Sequence, residues 1–137
     1  MRSLVLSLVL IAVAGCDAST DGLVLDGTYR GSGQSEVVSD AAPLRVAVDL
    51  ALTFDAAGPG PVSADLTMTT TVAGTPPETF TGTARGTLSA DGALALTAAP
   101  SSASATTKAL FDGTATATRL TGTLSGGVRV AGLALTR

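Results

Sequence analysis

Cys16 is the only thiol in this chain, and it directly follows Val13, Ala14 and Gly15 at the end of an apolar run that begins at Leu4. A thiolate is the side chain best suited to attack an alkyl or acyl carbon, so this one position can carry a covalent modification. Small residues just before it let a peptidase draw the chain past its active site. With Arg2 in front, the segment has the three parts of an export signal: a positive start, an apolar stretch and a small-residue cleavage site. The apolar stretch is about ten residues, whereas a helix needs roughly twenty to span a bilayer, so a permanent membrane helix is disfavoured.

Val13-Ala14-Gly15-Cys16 resembles the lipobox of bacterial lipoproteins. The resemblance implies that the processing machinery transfers a diacylglyceryl group to the Cys16 thiol, cuts before the cysteine, and often acylates the freed amine with a chain such as palmitate. Stable anchoring takes roughly two acyl chains, which a diacylglyceryl group supplies. The expected division is a signal peptide over 1–15, the lipidated cysteine and a short tether over 16–22, and a single domain over 23–137. The expected location is the bacterial cell envelope, with the membrane as partner through Cys16. Asp17 resembles the signal that holds some lipoproteins at the inner membrane. Sorting rules differ between bacterial groups, and the choice between inner and outer membrane stays open. The other readings of Cys16 are an incidental residue in an ordinary secretory signal, or a thiol that pairs between molecules.

The remaining residues offer little chemistry. The chain has no histidine, so serine triads and histidine-bearing zinc sites are excluded. Asp26, Asp49, Asp55, Asp65, Asp91 and Asp112 could meet as catalytic carboxylates, but their spacing suits solvated faces and turns. Asp21, Asp26 and Asp112 lie near glycines without forming a calcium loop. Gly31-Ser32-Gly33 lacks the lysine and helix of a phosphate loop and reads as a strand end. Tyr29 shares a strand face with Leu25 and Gly27. It is either a lumen residue aiming its hydroxyl at a ligand or a core residue with a satisfied hydroxyl. Phe80 is the second candidate for lining a ligand cavity. No metal, no cofactor and no enzymatic activity are expected.

Composition sets further bounds. About 120 residues follow the signal, enough for one domain burying around two thirds of its unfolded surface. Net charge is −3 with the signs interspersed, so no basic patch exists to track nucleic acid. Once Cys16 is modified no disulfide can form. Tyr29, Phe54, Phe80 and Phe111 are the only aromatics, leaving the core to Leu, Val and Ala.

The elements that would position these residues are strands. From Arg45 to Asp55, Val46, Val48, Leu50, Leu52 and Phe54 fall on one face, and from Val62 to Val72 a threonine row opposes a second apolar row. Gly58-Pro59-Gly60-Pro61 separates the two runs, which predicts an antiparallel hairpin. Thr79 to Ser89 is a further strand, Ala90-Asp91-Gly92 a turn needing positive φ, and Ala93 to Ala98 the return. Pro100 to Thr107 reads as a loop. Strands over about 108–118 and 119–125, then 128–136 after Gly126-Gly127, bring the count to about eight with a first strand over 23–32. The run from Gln34 to Pro43 either extends that first strand or is the loop after it.

Leu25-Asp26-Gly27-Thr28, Phe80-Thr81-Gly82-Thr83, Phe111-Asp112-Gly113-Thr114 and Leu120-Thr121-Gly122-Thr123 repeat one phrase at irregular spacing. Glycine inside a strand suits a bend, a bulge or a close approach, which a tightly coiled barrel needs. Gly27-Thr28-Tyr29 and Leu120-Thr121-Gly122-Thr123 resemble strand openings of avidin-like and other small calycin-type barrels. Those families carry tryptophans near the ligand cavity and this chain has none, so their ligands are not carried over. The expected fold is all-β, an antiparallel up-and-down β-barrel of about eight strands, with a two-sheet β-sandwich as the alternative. Small inner residues leave the interior either narrow and filled or wide and hollow. The expected role is that of a non-enzymatic envelope lipoprotein with a structural or protein-interaction function. The alternative is a barrel that carries a small apolar ligand.

Overall fold

The computed structural model describes residues 23–38 and 43–137, with side chains at all of these except 36–38, 43 and 44. The expected signal, lipobox and tether lie outside the described residues. Eight strands follow in order: β1 (Leu25–Val38), β2 (Pro43–Ala57), β3 (Gly60–Val72), β4 (Glu78–Leu88), β5 (Ala93–Ala98), β6 (Ala109–Ala115), β7 (Arg119–Gly126) and β8 (Val130–Thr136). Each pairs antiparallel with its chain neighbours, and the sheet closes on itself through β1 and β8. Closure decides for the up-and-down barrel over the sandwich, because a closed ladder has no second sheet to pack against.

Alternation drives the fold, since side chains at every second position of a strand share a face. On β2, Val46, Val48, Leu50, Leu52 and Phe54 are buried inward, and on β3 Val62, Ala64, Leu66 and Met68 join them. Leu88, Leu94, Leu96, Phe111, Leu120, Leu124, Leu133 and Leu135 complete one continuous core in the lumen. Among the described residues, no buried side-chain polar atom lacks a partner. Threonines hold the outer wall: Thr28 and Thr53 share a hydroxyl bond of 2.8 Å, Thr69 and Thr79 one of 3.2 Å, and Thr114 and Thr121 one of 3.1 Å. Such cross-strand pairs fix register on the wet face as the apolar rows do inside.

The seam between β1 and β8 departs from a regular ladder. Only Arg30 and Thr136 are paired there. Beyond that pair, β8 lies over the inner face of β1, where Gly31 and Gly33 leave room. The Ala134 carbonyl and Leu135 occupy the place of a Gly31 side chain, and Val130 that of a Gly33 side chain. Farther along, the Arg129 amide donates to the Ser35 hydroxyl at 3.1 Å. Gly31-Ser32-Gly33 is therefore the interior of a strand rather than its end, because β1 continues its pairing with β2 as far as Val38↔Pro43. This also answers the ambiguous run: 34–38 extend the first strand and Pro43 opens the second.

Two further boundaries differ from expectation. Thr116 to Thr118 is a turn, closed by the Thr116 amide donating to the Arg119 carbonyl at 2.8 Å, so β6 stops at Ala115. Pro100 to Thr107 continues the β5–β6 hairpin in interrupted form, with bridges at Thr81↔Ser101 and Ser101↔Thr106. Thr107 donates to the Pro100 carbonyl at 2.9 Å, but proline has no N–H to return the bond. The expected Asp-Gly turn forms as read, with Gly92 at φ +97°.

Candidate functional site

The lumen is the first place to look for a site in a barrel, and here it is filled. Among the described residues, a cavity inside it of about 10 Å³ is lined by Leu50, Leu52, Leu66, Phe111, Leu124 and their neighbours. That is about the space of one water, and an apolar void of this size stays dry. Ligand pockets run to several hundred Å³. Of the two options for small inner residues, the narrow and filled interior is the one observed.

Tyr29 is wholly buried. Its hydroxyl donates to the Ala117 carbonyl at 2.6 Å, and the hydroxyl oxygen in turn faces the Asp26 amide at 3.4 Å. The ring meets Phe54 edge-on, with centroids 5.7 Å apart and planes at 82°. Tyr29 thus ties β1 to the β6–β7 turn across one mouth of the barrel. Phe80, 7 % exposed, packs into the core beside Met68, its partner on β3. The structure does not bring Tyr29 and Phe80 to a shared cavity: neither lines the small void.

The carboxylates stay apart. Among the described residues, no group of three or more His, Cys, Asp or Glu side chains gathers as a metal site. Asp26 instead accepts a hydrogen bond from the Ala56 amide at 3.2 Å, where two residues of β2, Asp55 and Ala56, face it across a bulge. Asp91 accepts from the Ser89 hydroxyl in the β4–β5 turn, which together with the bond from the Ala93 amide holds its carboxyl below the usual range. Glu78 accepts from the hydroxyls of Ser102 at 2.6 Å and Ser104 at 2.7 Å, and these two bonds lower its pKa. Both arrangements pin a turn to a strand end.

With the lumen closed, the concave places lie on the outer wall. One groove of about 390 Å³ crosses β1, β2 and β3 between Arg30, Asp49, Thr67 and Thr69. A larger one, about 650 Å³, crosses β4, β5 and β6 and holds Arg85, Thr97, Lys108 and Leu110. Sequence reading passed over this second set. Its signal was a bulky apolar residue, Leu110, at an outward position between inward Ala109 and Phe111, two residues from the only lysine. Among the described residues, no helix is long and apolar enough to cross a membrane. No family model, no curated protein and no solved structure matches this chain.

Proposed function

We propose that this protein is a lipid-anchored, non-enzymatic lipoprotein of the bacterial cell envelope, with a structural or protein-interaction role performed by the outer wall of its barrel. The observation that carries the second half of this reading is the filled lumen: a void of about 10 Å³ leaves no room for a carried molecule. The first half rests on Val13-Ala14-Gly15-Cys16 and the apolar run before it. Leu25 opens β1 at the barrel end that also holds the β2–β3, β4–β5 and β6–β7 turns. Six residues, Asp17 to Gly22, separate the anchor at Cys16 from the described domain, a reach of at most about 25 Å. That short reach keeps the domain close to the bilayer surface.

Fractionation of cells making the parent chain and Cys16→Ala tests the anchor. The parent sediments with membranes and the variant moves to the soluble fraction. A variant that sediments like the parent would refute lipidation at Cys16. Native mass spectrometry of the same soluble variant tests the role, with the bare chain mass expected. A stoichiometric apolar molecule retained through purification and lost in Phe80→Ala would replace the interaction reading with a carrier.

A further inference from the structure

The groove over β5 is built from two cross-strand rows. Arg85, Thr97 and Leu110 form the first, a continuous ladder from β4 through β5 to β6. Thr83, Ala99 and Lys108 form the second, and here the ladder is broken. The β4–β5 pairing runs from Leu88↔Leu94 to Arg85↔Thr97 and resumes in the same register at Thr81↔Ser101. The position at which Thr83 faces Ala99 is skipped. Thr81 and Ser101 exchange both of their backbone bonds at 2.9 Å. In an antiparallel strand the N–H and C=O two residues along point the same way. Thr83 and Ala99 therefore direct both their amides and their carbonyls into the gap between them. The interruption falls beside Pro100, which is buried against Gly82, with its Cα only 3.0 Å from where a Gly82 Cβ would stand.

Two cations flank this gap, and among the described residues no carboxylate lines the groove, although Asp65, opposite Thr83 on β3, and Asp112, two residues past Leu110, stand on the same wall. Beside the two cations Leu110 is 40 % exposed, one of two large apolar side chains so placed among the described residues. A second groove of about 530 Å³ shares Ala99 and Lys108 and continues past Gly126 and Gly127. An anion is thus offered two cations, and whatever is attached to it is offered an apolar surface.

We propose that this groove binds an anionic lipid. Its phosphodiester would sit between Arg85 and Lys108 beside the break at Thr83 and Ala99, and its acyl chain would run along Leu110 and the adjoining groove. A bare phosphate satisfies the cations and leaves Leu110 unused, and a nucleic acid would need aromatic platforms and more cations than two. The site goes beyond the anchor reading and stands whether or not Cys16 is lipidated.

The test is a titration of the full ¹⁵N-labelled chain in neutral maltoside micelles, followed by nuclear magnetic resonance. The probes are dihexanoyl phosphatidylglycerol, dihexanoyl phosphatidylcholine and inorganic phosphate. Saturable shifts of the Thr83 and Ala99 amides are expected with phosphatidylglycerol. Arg85→Gln and Lys108→Gln, both on the outer wall, should each weaken binding about fivefold, as one cation near an anionic headgroup does. Phosphate alone should bind at least about tenfold more weakly, the equivalent of two methylenes left in water. The proposal is overturned if phosphatidylglycerol leaves both amides unmoved, if phosphatidylcholine moves them equally, or if neither substitution matters. Equal affinity for free phosphate would also overturn it, because the site would then serve a soluble anion.

Discussion

Replacing Tyr29 with Phe separates a structural hydroxyl from one that serves a ligand. The variant removes one oxygen and keeps the ring, so the edge-on contact with Phe54 survives. Of the two bonds at that oxygen, the one to the Ala117 carbonyl is short at 2.6 Å, and the one from the Asp26 amide, at 3.4 Å, lies beyond the usual range and contributes little. A single such bond contributes about 1 kcal/mol net. An acceptor left dry would add a desolvation penalty, but Ala117 is exposed in its turn, and water replaces the lost donor. The loss should therefore stay near about 1 kcal/mol. For a domain of this length the unfolding entropy turns that into a fall in Tm of about 4 °C.

Thermal unfolding followed by circular dichroism, alongside urea titration, measures it. Tyr29→Ala gives the contrast: loss of the ring from the core should cost about 3–5 kcal/mol, or leave the barrel unfolded. An unchanged Tm for Tyr29→Phe would mean that the hydroxyl holds no bond worth counting, and the link from β1 to the β6–β7 turn would fall. A loss above about 3 kcal/mol would refute the argument from the other side, because it would require Ala117 to be sealed from water.

The seam predicts a contrast between glycines. Gly31→Ala drives a methyl into the Ala134 carbonyl and the Leu135 side chain, and should cost about 2–3 kcal/mol in urea unfolding, whereas Gly58→Ala meets nothing within 4 Å and should be neutral or slightly stabilising. Equal effects would show that β8 does not rest on β1. Glu78 predicts a pH response. Its carboxyl is held below its ordinary range by the Ser102 and Ser104 hydroxyls, so the tie is complete above that range and is lost as pH falls through the lowered value. Amide exchange at Ser102, Ser104 and Ala105, corrected for intrinsic rates, should quicken on acidification below about pH 4.3 in the parent and be quick at every pH in Glu78→Ala. A parent that shows no pH step would remove Glu78 as the anchor of that turn.

Much of the barrel is legible in the sequence because its two faces use different residues. Val, Leu and Phe alternate with Thr, Asp and Arg along β2 and β3, so face, register and hairpin follow from the pattern. The Thr116 to Thr118 turn escapes this reading because Thr-Ala-Thr holds neither glycine nor proline, and its residues suit a strand equally well. Pro100 misleads in the opposite sense, breaking a strand locally while the register persists on both sides. For Tyr29 the pattern gives the face and no more. The partner of its hydroxyl lies 88 residues away, at a distance local alternation cannot sense. The groove over β5 is hidden for a similar reason, since Arg85 and Lys108 become neighbours only when β4 and β6 flank the same strand.

The glycines decide where function can reside. Eight strands enclose a lumen just wide enough for side chains to fill. Inner glycines would hollow it if nothing occupied the place of the missing side chains, but neighbouring backbone does. Gly113 and Gly122 face each other across β6 and β7, and each stands so close to the opposite backbone that a side chain on either would strike a carbonyl. On β1, Gly31 and Gly33 admit β8 itself. Missing side chains are thus replaced by neighbouring backbone, and Leu, Val and Phe fill what is left. The residues whose small size first suggests room for a ligand border a void of only about 10 Å³. On the outer wall, made mostly of threonine and alanine, Arg85, Lys108 and Leu110 come together over one strand.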